Sequence, residues 1–480
     1  MSEKIYTVAS VKQAEKYLID HGITEEQMID RASSCIAEYL KSQDDIVFLC
    51  GGGNNGSDGL LTALKLEDKK VTVFYGGTPN PINSALLEKV KQSRETHPLY
   101  KYNGEGKVIV DCLLGTGINR PVSGDFAQAI RIANYTKAHK IAIDVPTGID
   151  DTGMSLGDTF CADVTLAMGG IKTSDVLNDA LDYAGEVVLC DIGLPLKNPI
   201  EAISADDVKI EKRKRNTHKG NYGKIKIIGG SAKFVGAPYF SASACCVSGA
   251  GLVSMVVPSS QRVVYSKNAF DGMTLDFLPD DNGNFVFDEN SANGIMQNAE
   301  VLVVGMGMGD SEQTKNYVEY FIRNFEGTLV LDADALNALS QNVNILKEDR
   351  KCKIILTPHV GEFRRLNKAY VGNVEQAMAF AKEYNVTLAV KSATSIITDG
   401  EQTAVNLTGT PAMSKGGSGD ILSGVVGAFT AVHDPYTALK FACYYAGLAG
   451  LVAEQEIGNQ LSLTPIDIIN ALPLVYSENN

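Results

Sequence analysis

Short runs of β-branched and other apolar residues recur along the chain. Each is closed by a turn signal, and most lead into a stretch with helical character. In the first part they are IVFLC (46–50), VTVFY (71–75), KVIVDCLL (107–114), KIAIDV (140–145), DVTLAM (163–168) and EVVLCDIG (186–193). Helix-like segments fall at 11–20, 25–40, 83–95 and 125–135. The runs are continuously apolar rather than alternating, as in strands buried on both faces of a parallel sheet. Strand–helix alternation at this spacing predicts a doubly wound α/β domain.

The pattern breaks around 196–223, where little reads as core and a basic run occupies 211–219. A boundary near residue 205 is expected, giving domains 1–205 and 206–480, with the basic run a solvated linker or phosphate-side loop. Alternation then restarts. KIKIIGG (224–230), LVSMVVP (252–258), EVLVVGMGMG (300–309), TLVLDADAL (328–336), CKIILTPH (352–359) and VTLAVKSATSIIT (386–398) read as strands. Helices are expected over 236–250, 311–324, 373–384, 418–431 and 435–456, so a second α/β domain fills the remainder.

Composition narrows the function classes. A chain of 480 residues has room for two or three domains. Its 44% hydrophobic and 21% charged residues are ordinary for a globular protein and speak against global disorder. A net charge of −14 disfavours a nucleic-acid partner. The nine cysteines include no CxxC and no zinc spacing, and most sit in apolar runs. They read as small buried residues of a reduced, cytoplasmic protein. MSEKIYTVAS carries no apolar leader, and no apolar run approaches about 18 residues, so no secretory signal or membrane span is expected.

In open α/β sheets ligands bind beyond the carboxyl ends of strands. The first run ends in Gly51-Gly52-Gly53-Asn54-Asn55-Gly56-Ser57-Asp58-Gly59 and then a helix. Glycines let the backbone approach a ligand, and the helix start offers N–H groups to an anion. The same loop also satisfies a tight turn with a helix cap. Two further strand ends carry oxygen donors, Asp111 before Gly115-Thr116-Gly117-Ile118-Asn119-Arg120-Pro121, and Asp144 before Pro146-Thr147-Gly148. Asn55, Asp111 and Thr147 offer a hard, weakly held cation an amide oxygen, a carboxylate and a hydroxyl. Asp144 is the acid–base candidate.

GGGNNGSDG, DCLLGTGINRP and DVPTGID in this order resemble the signature of NAD(P)H-hydrate epimerases, over about 1–200. The resemblance implies a Rossmann-like domain in which Asn55, Asp111 and Thr147 bind potassium. It implies substrate contacts from Asn54, Asn55, Gly56, Ser57 and Asp58, and from Gly115 to Pro121, with Asp144 catalytic. Two departures stand out. Ser57 replaces a glycine, which the loop tolerates unless φ is positive there. AMGGIKTS (167–174) lacks the proline usual beside its lysine, Lys172.

The second half carries GGS…GAPY (229–239), GMGMGD (305–310), LTPHVGEF (356–363), Lys391-Ser392-Ala393-Thr394-Ser395, Asn406 and Ser414-Lys415-Gly416-Gly417-Ser418-Gly419-Asp420. A glycine loop at a helix start suits phosphoryl transfer, with Asp420 accepting a hydroxyl proton. This set is similar to the ribokinase-like superfamily and, within it, to NAD(P)H-hydrate dehydratases, over about 205–475. The resemblance implies that Ala237, Gly307, His359 and Asp420 contact the hydrated nicotinamide nucleotide. Lys391 to Ser395 and Gly419 would contact the adenine nucleotide. Met306 stands where the family often has proline.

Together the resemblances imply metabolite repair of the hydrates NADHX and NADPHX. R and S forms would be epimerised, and the S form dehydrated with ADP, or ATP, and magnesium. A cytoplasmic homo-oligomer without nucleic-acid or membrane partners is expected. The alternative from these residues is a ribokinase-like small-molecule kinase with a non-catalytic N-terminal scaffold.

Overall fold

The computed structural model describes residues 4–267 and 273–478. The chain divides into two compact units, one spanning Lys4–Ile200 and the other beginning at Glu201.

The first unit is built on a seven-stranded parallel sheet. Its order is Glu95–Pro98, Val71–Tyr75, Ile46–Cys50, Val108–Cys112, His139–Ile143, Val164–Met168 and Glu186–Cys190. From Ile46–Cys50 the chain winds outward to Val71–Tyr75, then returns to Val108–Cys112 on the other side. The winding reverses between Ile46–Cys50 and its neighbour Val108–Cys112, which form the topological switch point where a doubly wound sheet opens a crevice. The central strands Ile46–Cys50 and Val108–Cys112 are buried throughout because both faces are covered, whereas the edge strands Glu95–Pro98 and Glu186–Cys190 are partly exposed. Ile46, Phe48 and Cys50 join one buried cluster, and Val47 and Leu49 the opposite one. Helix Asn54–Lys65 starts directly after the glycine loop. Lys4–Tyr6 pairs with Ile171–Lys172 and leads into helix Val8–Asp20.

The second unit repeats the device. Lys224–Gly229 lies between Leu252–Pro258 and Val301–Met306, and the parallel order continues through Thr328–Leu331, Lys353–Leu356 and Thr387–Val390. Helices Ala237–Val247, Ser418–Thr430 and Pro435–Ile457 supply most of the core beside Ile225, Met255 and Val303. No helix among the described residues is long and apolar enough to cross a membrane.

Three sequence expectations need correction. VTLAVKSATSIIT is not one strand. Thr387–Val390 and Ser395–Thr398 form an antiparallel hairpin whose turn contains Lys391. Ser392 Oγ closes that turn by donating to the Thr394 carbonyl at 2.6 Å. Second, the 196–223 stretch does contribute core. Val208 is fully buried and its carbonyl accepts the Tyr445 hydroxyl at 2.8 Å. Ile200–Ala202 pairs with Thr403–Asn406. Third, the cysteines are not all free. Helix Glu25–Leu40 brings Cys35 to within 6.0 Å (Cα–Cα) of Cys190, and the two form a disulfide. Cys161 is exposed rather than buried.

Candidate functional site

In the first unit the strand ends at the switch point bring the epimerase-type residues together. Gly56 is required by space, since a Cβ there would stand 1.9 Å from the Gly51 carbonyl oxygen. Ser57 lies inside the helix, away from positive φ, so serine fits. Its hydroxyl donates to Asn83 Oδ1 at 2.7 Å. Asn54 is exposed and meets Asn80 at 3.3 Å.

Asp111 is fully buried. It accepts the Thr147 N–H at 2.8 Å, the Thr147 hydroxyl at 2.8 Å and the Leu113 N–H at 3.1 Å. Burial pushes its carboxyl up to about 6, and these three donors oppose the rise. Asn55 donates to the Ile143 carbonyl at 3.1 Å, which leaves its buried Oδ1 without a partner. An unpaired buried oxygen is costly. That orphan, one carboxylate and one hydroxyl fit a potassium ion of low charge demand.

Asp144 follows the last residue of strand His139–Ile143 with φ of 71°, an uncommon value for a non-glycine residue. The turn aims its side chain at the loop holding the other candidates. Oδ2 accepts the Thr116 N–H at 3.2 Å, and Oδ1 lies 3.1 Å from Lys172 Nζ. Gly115 leaves room for it, since a Cβ there would stand 2.9 Å from Oδ2. Lys172 is almost wholly buried and also reaches Asp175 at 3.4 Å. Burial works against its charge, but Asp144 and Asp175 outweigh burial and raise its pKa. The missing proline does not prevent this contact. Asp58, half-buried beside them, is pushed well up by burial and then by Asp144 and Glu15. Ile118 is half-buried, whereas Gly117, Asn119, Arg120 and Pro121 are exposed at the rim.

In the second unit, Gly417 takes φ of 108° and caps helix Ser418–Thr430, placing Asp420 in its first turn. Gly307 has φ of 73°, and a Cβ there would stand 3.3 Å from that of Ala237, so the two glycine-loop segments touch. His359 caps helix Val360–Leu366, its Nδ1 accepting the Gly361 N–H at 2.9 Å. It pairs across a backbone bridge with Lys391. A Cβ on Gly419 would stand 3.3 Å from Lys391 Nζ. The structure thus groups Lys391, Gly419, Asp420 and His359, with Ala237 and Gly307 on the neighbouring loops. Thr394 is buried in the hairpin turn, whereas Ser392 and Ala393 are exposed. Asn406 instead braces the core, donating to the Thr408 and Cys443 carbonyls.

Asp332 and Glu362 escaped the sequence reading. Asp332 follows strand Thr328–Leu331 inside LDADAL and is buried against Lys391 at 2.7 Å. Ala333 beside it has φ of 50° and ψ of −119°, a strained conformation of the kind found at functional sites. Glu362 accepts the His359 N–H at 2.8 Å, and burial followed by Asp332's charge pushes it up to about 7. The same two causes, in the same order, push Asp420 up to about 7, with Lys391 opposing. Burial, then Lys391, lowers His359. Among the described residues no three His, Cys, Asp or Glu side chains converge to hold a metal ion. A magnesium ion here would draw on water and the phosphates of a bound nucleotide as well as on protein carboxylates.

Residues 25–174 match the family described as YjeF-related protein N-terminus, and 225–474 match NAD(P)H-hydrate dehydratase. The chain is 29% identical to the bifunctional NAD(P)H-hydrate repair enzyme Nnr of Dictyoglomus turgidum, over 99% of this chain and 98% of that protein. It is 30% identical to the protein of the same name from Pyrobaculum aerophilum, over 97% and 98%. In fold it resembles a ribokinase-like superfamily protein from Enterococcus faecalis V583, with a TM-score of 0.51 at 22% identity. That match covers 58% of this chain and 95% of the other.

Proposed function

The chain belongs to the family of bifunctional NAD(P)H-hydrate repair enzymes, and from that premise we propose which residues carry its two reactions. It combines an NAD(P)H-hydrate epimerase with an NAD(P)H-hydrate dehydratase.

In the epimerase unit, Asn54 to Asp58 and Gly115 to Pro121 hold NADHX or NADPHX. Asp144 moves the proton, and Lys172, 3.1 Å away, holds its carboxylate in place. Asn55, Asp111 and Thr147 would hold potassium, which supplies fixed positive charge beneath the substrate loop. In the dehydratase unit, Ala237, Gly307, His359 and Asp420 hold the S hydrate. Lys391 to Ser395 and Gly419 hold ADP, with ATP as an alternative donor and magnesium as the counter-ion the nucleotide brings.

Hydroxide is a poor leaving group and phosphate a good one. Asp420 takes the proton of the ring hydroxyl as its oxygen attacks the terminal phosphorus. The N–H groups of the helix start and Lys391 face the developing charge. Loss of phosphate with a neighbouring ring proton then restores the double bond. The observation carrying this reading is Asp420 in the first turn of a glycine-capped helix, grouped with the Lys391–Asp332 pair. It is tested by offering the protein mixed R and S hydrates with ADP or ATP and following dihydronicotinamide absorbance. Accumulation of a phosphorylated alcohol without that absorbance would overturn it. We place the enzyme in the cytoplasm as a homo-oligomer, for sedimentation to check.

A further inference from the structure

The epimerase loop assigned to the substrate carries two glycines, Gly115 and Gly117, and Gly117 takes φ of 97°. Glycines open many backbone conformations to such a loop, so its shape has to be imposed from outside. Side-chain oxygens impose it. Asp111 Oδ1 accepts the Leu113 N–H at 3.1 Å, and Thr147 Oγ1 accepts the Leu114 N–H at 3.0 Å. Asp144 Oδ2 accepts the Thr116 N–H at 3.2 Å, and Asp151 Oδ1 accepts the Gly117 N–H at 2.7 Å. The first three acceptors also belong to the proposed cation site or are the proposed base. Asp151 makes the shortest of these bonds and has neither role. Beyond Gly117, Asn119, Arg120 and Pro121 run exposed along the rim, so Gly117 is the last of these fixed points.

We propose that Asp151 is a positioning residue of the epimerase, holding the Gly115–Pro121 loop in the shape that receives the substrate. The proposal rests on the epimerase reading above. Asp151 stands on a closed turn. Asp150 Oδ1 beside it accepts the Thr152 N–H at 2.8 Å, the Thr152 hydroxyl at 2.7 Å and the Met154 N–H at 3.0 Å. The Asp150 N–H in turn donates to the Met154 carbonyl at 3.0 Å, and Ile149 and Ser155 bridge across the same turn. The turn continues the segment that bears Asp144 and Thr147. One stretch of chain thus carries the proposed base, a proposed cation ligand and the outer anchor of the loop.

The other oxygen of Asp151 is taken by Lys12, whose Nζ lies 3.0 Å from Oδ2. Lys12 belongs to helix Val8–Asp20, which is seated by buried Val8, Val11 and Ala14 and by the pairing of Tyr6 with Lys172 just before it. The pair leaves 46% of the lysine side chain and 41% of the aspartate side chain exposed, and exposed pairs contribute little by themselves. Its use is directional, since it fixes the carboxylate with Oδ1 on Gly117. The short, charge-assisted bond to the loop carries the greater share. Lys172 holds Asp144 independently at 3.1 Å, so loss of Asp151 is felt in substrate binding before it is felt in the chemical step.

The test uses full-length protein, wild type and Asp151→Ala, Asp151→Asn and Lys12→Met, with R hydrate and no nucleotide, and epimers separated by chromatography. Asp151→Ala is expected to raise KM by about 10–100-fold, the weight of one charge-assisted hydrogen bond, with kcat within about threefold of wild type. Asp151→Asn keeps an oxygen for the Gly117 N–H and recovers most of that loss. Lys12→Met keeps the loop bond and raises KM by less than about fivefold. Nucleotide-driven repair of S hydrate by the same samples reports intact folding. An unchanged KM in Asp151→Ala, whether or not kcat falls, would overturn the proposal, because a merely structural role moves kcat alone. So would Asp151→Asn no better than Asp151→Ala, or loss of both activities together. Lys12→Met as harmful as Asp151→Ala would overturn it too, by marking the ammonium as the substrate's own partner. A wild-type chain that leaves R hydrate unchanged would instead overturn the epimerase reading itself.

Discussion

Asp332 grips Lys391 at 2.7 Å through Oδ1, while Oδ2 accepts the hydroxyl of Ser423, one turn beyond Asp420 on the same helix. One buried carboxylate thus binds the hairpin turn to the helix bearing the proposed base. Its charge also helps hold Asp420 near neutrality. Asp332→Asn leaves Lys391 without a counter-ion. The expected loss is about 3 kcal/mol, the low end for a broken buried pair, because Lys391 keeps 18% of its side chain exposed. The acid limb of the dehydratase pH–rate profile moves to lower pH, since Asp420 ionises more easily without that neighbour. An unmoved limb in a folded variant counts against the coupling.

Asp420→Asn is expected to lower nucleotide-dependent repair by about 10²–10⁴-fold and to leave epimerisation intact. Its effect on stability separates a base from a cap. The folded-state pKa of Asp420 is raised to about 7, so its contribution is fully present below the unfolded value and is lost as pH rises through 7. The uncharged variant therefore melts higher than wild type at pH 8, with the gap closing toward pH 4. A helix-capping role predicts the reverse, a variant less stable by about 1 kcal/mol. Calorimetry at the two pH values decides.

Asp111→Ala removes the carboxylate that orders Thr147 and the Leu113 N–H. It is expected to weaken epimerisation and abolish any dependence on potassium, without touching the dehydratase. Rates in potassium and in a bulky organic cation at matched ionic strength provide the check. Equal wild-type rates in both would remove the cation from the reading.

A fragment starting at residue 201 should fold alone and repair only the S hydrate. One starting at 210 should be less stable. It lacks buried Val208, the Tyr445–Val208 hydrogen bond and the ion pair of Glu201 with Lys440 at 2.7 Å. Val208 alone accounts for about 1.5–3 kcal/mol of burial. Urea midpoints of the two fragments compare them directly, and equal midpoints would deny residues 201–209 a place in the core.

Much of this architecture was legible because buried parallel strands are written as uninterrupted apolar runs. IVFLC, VTVFY and LVSMVVP match strands residue for residue. The glycine loops were legible too, because close backbone approach excludes side chains. The hairpin at 391–394 was hidden by its own chemistry, since KSAT contains neither glycine nor asparagine and both arms are β-branched. Asp332 looked like one acidic residue among several in LDADAL. Its burial follows from strand order, which local pattern does not carry. The disulfide joins residues 155 positions apart, beyond the reach of any spacing rule.

Ser57 departs from the glycine usual in its family, and its hydroxyl meets Asn83 Oδ1 while Asn83 Nδ2 donates to the Gly53 carbonyl at 2.9 Å. Both side chains are fully buried. Restoring glycine at 57 would therefore strand an amide oxygen, at a cost of about 1–3 kcal/mol, and slacken the loop through Gly53. The effect of either residue depends on the identity of the other, so the two positions are epistatic. A glycine grafted at 57 into this background is expected to be harmful unless Asn83 changes with it, which a double-mutant cycle at 57 and 83 would read directly.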